Sequence, residues 1–482
     1  MRPILAPLAL AALLAGCTVG PNYVGPPAAA LRAAKAPAFV RGDARQATAV
    51  APVARWWEAL GDPVLNDLVT RALAANPNIA VAEARLRQAR AALRLQKANE
   101  LPNGNAEALY AHAHLPGVNL KGNGNGSNGT SSNDTTDLNL YNLGFDATWE
   151  VDLFGGQRRA IEAARATAGA AEANLADAQV SLSAEVVQAY VNLRDRQRRI
   201  DLSTRSVQMQ ERMLTLTQQR YDRGTASRLD VTRLQNQLDI TRADITPLNA
   251  ELEAYMDELA TLTGDEPGTL DDQLKQPKPI PLPPAQVAVG DPAALLQRRP
   301  DIRAAERTLA ADTAKIGQAE AARFPKLSFM GIIGIGGTSP SQLGKLDDFT
   351  ALIAPQLSWN FLDFGRNKAR ILQAEGVRDE AEGQYRATVL AALRDAEDSL
   401  SRFRYRRITV ATLARAKAEA DEALALSEQR YKAGTSTLID LLDARRQQIT
   451  AEQNLSQAEA GLTGDFVAIQ KALGLGWGAN AG

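Results

Sequence analysis

Apolar and polar residues alternate without a break from residue 141 to 153. Tyr141, Leu143, Phe145, Ala147, Trp149, Val151 and Leu153 interleave with Asn142, Gly144, Asp146, Thr148, Glu150 and Asp152. A period of two predicts a strand with one oily and one polar face. The period then changes: Ile161, Ala168, Leu175, Leu182 and Ala189 recur every seven residues, with Ala164, Ala171 and Ala178 three positions on from the first three. That spacing predicts a helix with a coiled-coil seam. Residues 155–221 contain no proline, so the helix is predicted to continue for some 65 residues, about 100 Å at 1.5 Å per residue.

The same succession returns further on. Phe349, Ala351, Ile353, Leu357, Trp359 and Phe361 alternate, less cleanly, with Thr350, Gln356, Ser358 and Asn360, ahead of a second long helical stretch at 366–431. A shift of 210 positions lays Trp149, Phe154 and Gly155 on Trp359, Phe364 and Gly365. It also lays Arg220, Tyr221, Gly224, Thr225 and Asp230 on Arg430, Tyr431, Gly434, Thr435 and Asp440. Upstream the shift is 223, with residues 76–79 on 299–302 and Ala82, Glu83, Leu86 and Pro102 on Ala305, Glu306, Leu309 and Pro325. The difference falls at the Gly/Asn/Ser tract 117–137, of which 122–136 reads as a mobile loop outside the cell. A repeat of this length sets the architecture: each copy supplies a helix, a strand pair, a long helix and a shorter returning helix.

The expected segments are a signal peptide at 1–16, a lipidated N-terminal segment at 17–62, a first repeat at 63–263 with its β-hairpin at 103–153, and a Pro-rich linker at 264–290. A second repeat follows at 291–474, with a β-hairpin at 325–363 and a helical hairpin at 365–473, and then a tail at 475–482. Weaker strands at 106–115 and 327–335 bring the number to four, each about ten residues, the length that crosses a bilayer when tilted. A membrane sheet must close on itself, and four strands cannot. Two chains would give eight strands with a filled interior, and three would give twelve with a lumen. A soluble sandwich with one wet face is the alternative.

Composition narrows the class. The formal charge is -1, with charged residues at 23% and aromatics at 5%, so there is no basic excess to hold nucleic acid. Arg2, the apolar run 4–15 and the ending Leu14-Ala15-Gly16-Cys17 have the layout of a secretory signal. Cys17 is the only cysteine, which excludes an internal disulfide. The ending resembles the lipobox of bacterial lipoproteins, which implies that Cys17 is the lipid attachment site. Thr18, where such lipoproteins carry Asp for inner-membrane retention, points to the outer membrane.

No enzyme pattern stands out, and no cofactor or metal is expected. The glycine-rich run 331–337 leads into Thr-Ser-Pro and not into a helix, unlike a phosphate loop. His112 and His114 alternate with apolar residues on one strand and are expected to line the interior of the barrel.

Several motifs in fixed order resemble the TolC-like outer-membrane efflux proteins, specifically the lipoprotein factors paired with resistance-nodulation-division pumps. They are residues 17–23 (Cys-Thr-Val-Gly-Pro-Asn-Tyr), Trp56-Trp57 before Gly61-Asp62-Pro63-Val64-Leu65, residues 298–306 (Arg-Arg-Pro-Asp-Ile-Arg-Ala-Ala-Glu), and residues 431–435 and 441–444. The resemblance implies an α+β membrane protein. In it, three chains share a twelve-stranded outer-membrane barrel continuous with a periplasmic helical tunnel, and a mixed belt draws on 36–52, 277–292 and the chain after Gly474. It also implies a periplasmic membrane-fusion adaptor, an inner-membrane transporter and outer-membrane lipid as partners. The function implied is a passive exit duct for small toxic compounds. A duct for type I protein secretion, a periplasmic coiled-coil adaptor or scaffold, and a cell-wall enzyme are the rivals.

The two Gly-Thr turns lie at the far ends of the long helices. Gly224 and Gly434 suit the left-handed conformation that ends a helix, and Ser227 with Asp230, and Thr437 with Asp440, have capping-box spacing. Asp443 lies beyond the box, and its counterpart in the first copy is Arg233, so capping does not account for it. The resemblance implies that Asp443 and Ile439 line a closed periplasmic constriction and that Arg446 helps to hold it shut. Asp440 is counted with this gate as well as with the cap. The position that carries an arginine lock in some family members is Ser436 here. An adaptor would grip the tips around Gly224, Thr225, Asp230, Gly434 and Thr435.

Overall fold

The structure is a computed structural model that describes residues 18–42, 47–48, 53–116, 135–344, 347 and 349–477. The signal segment, Cys17 and the tract 117–134 lie outside the described residues. Helices dominate: α1 (Pro63–Ala75), α2 (Pro77–Ala98), α3 (Gly156–Asp222), α4 (Arg228–Thr263), α5 (Pro300–Ala321), α6 (Arg366–Lys432) and α7 (Leu438–Ala472). The two long helices, α3 and α6, have 67 residues each. Four long strands, β1 (Asn103–Pro116), β2 (Thr135–Val151), β3 (Lys326–Gly337) and β4 (Phe349–Ser358), complete the set. At 14, 17, 12 and 10 residues, all but β4 exceed the length read from alternation, because pairing continues where the alternation fades. Two compact units can be distinguished.

One unit holds residues within 1–26, 88–168 and 307–382, and with them the sheet. All pairings are antiparallel in the order β1-β2-β3-β4, so β1 and β4 each keep one edge unpaired among the described residues. The register places Phe145 opposite Ile333, Ile333 opposite Ala351, and Gly331 opposite Ile353. Opposed residues share a face, so Leu143, Phe145, Trp149, Phe329, Ile333, Ile335, Phe349, Ile353 and Leu357 make one continuous apolar surface. Much of it is bare: Phe145 is 69% and Ile353 79% exposed. The other face carries Asn105, Glu107, Asn142, Asp146, Thr148, Gln356 and Ser358, interspersed with Met330, Ile332 and Leu352, and Asn105 Nδ2 donates to Asp146 Oδ2 at 3.2 Å.

The same ladder places the two histidines of β1. His112 and His114 pair with Asn139 and Asp137, which puts them on the face of Leu143 and Phe145, opposite the polar face. Their Nδ1 atoms lie 2.9 Å from Asn139 Oδ1 and 2.6 Å from Asp137 Oδ1. The faces exchange polarity past Tyr110 and Tyr141: polar residues take over the oily side, and Leu109, Leu138 and Leu140 appear on the other. The glycine-rich run is strand β3, where a Cβ on Gly336 would lie 2.6 Å from the Tyr141 carbonyl oxygen.

Each hairpin is pegged at its base in the same way. Trp149 Nε1 donates to the Glu100 carbonyl and Trp359 Nε1 to the Arg323 carbonyl, both at 2.9 Å; donor and acceptor obey the 210 and 223 shifts respectively. The segment after Cys17 is strapped to this unit. Buried Arg159 donates to the carbonyls of Val19 (3.1 Å) and Gly20 (3.0 Å) and to Asn22 Oδ1 (2.7 Å), and pairs with Glu162. Gly20, at φ +89°, sits so close to α5 that a Cβ would stand 2.4 Å from Gly317 Cα.

The other unit holds residues 27–87, 169–306 and 383–482. Its core gathers Leu65, Leu68 and Val69 of α1, Val186, Val187, Tyr190 and Leu193 of α3, Val389 and Phe403 of α6, and Phe466 and Ile469 of α7. Trp56 packs edge-on against both Trp57 and Phe466, with centroids 5.8 Å apart in each case. Burial along α3 is wider than one seam, since Ala170, Ala173 and Ala176 are buried as well as Leu182 and Ala189; alanine lets neighbouring backbones approach on more than one flank. Arg194 is buried without a carboxylate contact among the described residues: its Nη atoms donate to Gln197 Oε1, the Gln276 carbonyl and the Tyr190 hydroxyl, and its Nε is left without a partner. Ala47–Thr48 pairs in parallel with Val287–Ala288.

Candidate functional site

The second unit contains both helical turns, and each is built the same way. Gly224 and Gly434 have φ of 75° and 74°, accessible to glycine without a Cβ penalty. Thr225 N donates to the Arg220 carbonyl at 2.8 Å and Thr435 N to the Arg430 carbonyl at 3.0 Å, closing the helix ends. The next helices open on complete capping boxes, Ser227 with Asp230 and Thr437 with Asp440. Hydrogen bonds from the Ser227 side chain and backbone hold the Asp230 carboxyl below its ordinary range. Backbone and then side-chain bonds from Thr437, with one from Ser436, do the same for Asp440. A bond that favours the charged form lowers the pKa.

Ile439 lies within the first turn of α7, and Asp443 and Arg446 lie one and two turns further along it. Arg446 Nη2 donates to Asp443 Oδ1 at 2.6 Å, and Gln447 Nε2 donates to Oδ2 at 2.7 Å. Ile439 is 48% exposed, an apolar side chain held in the open. All three line a cleft of about 300 Å³ between α4 and α7, whose opposite wall is Asp230, Arg233, Asn236 and Gln237. The cleft brings Asp443 together with Asp230 of the other repeat, while Asp440 is absent from its lining and serves the cap. Arg233, the counterpart of Asp443, shares the cleft; the 210 shift is the signal that finds it.

A second feature has no counterpart in the motif reading. Arg220 Nη1, at the end of α3, donates to the Tyr431 hydroxyl at the end of α6, 3.0 Å away. The residues themselves stand out in the repeat, but their pairing becomes visible only when the helix ends are brought side by side. Among the described residues there is no cluster of three or more metal-ligating side chains, and no helix is long and apolar enough to cross a membrane.

Residues 68–265 and 292–475 both match the outer membrane efflux protein family. The chain belongs to that family. The two matched segments coincide with the two copies of the repeat. Nodulation protein T of Rhizobium leguminosarum bv. trifolii is 31% identical over 467 residues, 96% of either chain. The pyoverdine export outer membrane protein OpmQ of Pseudomonas aeruginosa is 29% identical over 438 residues, 88% of either chain. The solved outer-membrane channel OprN is 36% identical, with a TM-score of 0.86 covering 96% of this chain and 100% of that one. This efflux protein is thus an outer-membrane channel component.

Proposed function

We propose that three copies of this efflux protein pool their sheets into one twelve-stranded barrel through the outer membrane. The long helices of the three copies would continue as a periplasmic tunnel, and the parallel pair Ala47–Thr48 with Val287–Ala288 would contribute to a belt around it. One observation carries the reading: a sheet whose β2, β3 and β4 share an apolar face from Leu143 to Trp149 has, among the described residues, an unpaired edge on each flank. In lipid an open edge leaves backbone groups without partners, each costing several kcal/mol. Edge β1 of one copy against edge β4 of the next pairs these groups along the length the two strands share. The apolar face then meets lipid, the polar face lines the bore, and lipid on Cys17 adds an anchor.

The duct performs no chemistry of its own. An inner-membrane transporter of the resistance-nodulation-division class supplies energy, and a periplasmic adaptor engages the tips at Gly224, Thr225, Asp230, Gly434 and Thr435. Cargo is small toxic compounds. The gate is Ile439 and Asp443, with the Asp443 carboxylate held by Arg446 and Gln447. Three carboxylates around one axis attract cations and repel each other unless paired or hydrated. Replacing Asp443 and Arg446 together by alanine is expected to raise single-channel conductance in planar bilayers several-fold. Conductance equal to that of the unaltered channel would remove these residues from the gate.

A further inference from the structure

The hydrogen bond from Arg220 to Tyr431 joins the first copy of the repeat to the second within one chain. Under the 210 shift Arg220 becomes Arg430, and Tyr431 becomes Tyr221. The duplicated bond would therefore run from Arg430 to Tyr221. The chain does not make it: among the described residues neither the Arg430 guanidinium nor the Tyr221 hydroxyl has a hydrogen bond. Tyr221 is also the more exposed of the two tyrosines, at 40%. The surroundings of the two arginines are otherwise matched. Each carbonyl accepts from the threonine of its Gly-Thr turn, and each guanidinium bears on the capping aspartate of the next helix, Asp230 or Asp440.

We infer that Arg430 of one subunit donates to the Tyr221 hydroxyl of the neighbouring copy, so that each subunit boundary carries the bond that Arg220 and Tyr431 make inside the chain. This rests on the closed three-copy reading above, in which second and first repeats alternate around an axis. Within the chain the end of α3 lies beside the end of α6 and the start of α7, which together line an apolar cleft of about 320 Å³ with Met209, Met213, Leu216, Tyr431, Leu438 and Leu441. A ring of alternating repeats places the end of α6 beside the end of the next copy's α3 in the same relation. Six arginine-to-tyrosine bonds would then link the helix ends into a hoop, three within chains and three between them.

The test is cross-linking in detergent-solubilised full-length protein. Tyr221→Cys with Arg430→Cys, treated with a short bismaleimide, should give a ladder of covalent dimer and trimer on denaturing gels. Arg220→Cys with Tyr431→Cys should keep monomer mobility, and each single variant should also run as monomer, which controls for Cys17. Light scattering of the same samples gives the assembled mass. An intact three-copy particle without the ladder overturns the inference and leaves the proposed function standing. A particle that never exceeds one copy overturns both.

Discussion

At Gly434 the backbone conformation, more than the space around it, restricts the residue. A Cβ there would meet nothing within 4 Å, but φ is +74°. Replacing Gly434 by alanine therefore adds no clash and is expected to weaken the turn by roughly 1–2 kcal/mol, the penalty of a left-handed L-residue. Asparagine, which tolerates that region, should cost less. Amide exchange of Thr435 and the first turn of α7 measures this: protection should fall about tenfold in the alanine variant, and equal loss in both variants would show that conformation is not the cause. Gly20 is the contrasting case, because its backbone nearly touches Gly317. The capping boxes and Gly-Thr turns were legible in the sequence because they depend on neighbours a few residues apart. The strap on Arg159 and the bond from Arg220 to Tyr431 were not, since their partners lie 137 or more positions away and no local spacing signals them.

Among elements, the strands gave the plainest signal, and alternation located them because one face is apolar. Alternation does not say where the faces exchange polarity. Past Tyr110 and Tyr141 the side that carries Leu143 and Phe145 turns polar, since His112 and His114 stand opposite Asn139 and Asp137 there. Neighbouring residues on opposite faces give a sharp prediction. Ile333→Arg puts a charge on the apolar face at the middle of the sheet, where about 2–4 kcal/mol is expected near a bilayer midplane. Asp146→Arg puts one on the polar face, where water or counter-charge can meet it. Heat-resistant, membrane-assembled protein should fall steeply for the first and stay near the parent level for the second. Similar losses in both would mean that the apolar face does not meet lipid.

For the whole molecule, copy number and conduction are tied by geometry. An eight-stranded closure has an interior that its own side chains fill. Here those would include Glu107, Asn142, Asp146 and Gln356 from each copy, leaving no bore. Twelve strands enclose a lumen with the same residues on its wall, so a conducting particle has to contain more than two chains. Co-expressing untagged chains with chains that carry a charged C-terminal tag separates the possibilities. Random assembly of three should give four species on native gels, and assembly of two should give three. The four-species sample should conduct in planar bilayers. A conducting particle with only three species would mean that the two-chain closure leaves a path after all, and the barrel would then have to be rebuilt from the pairing of β1 with β4.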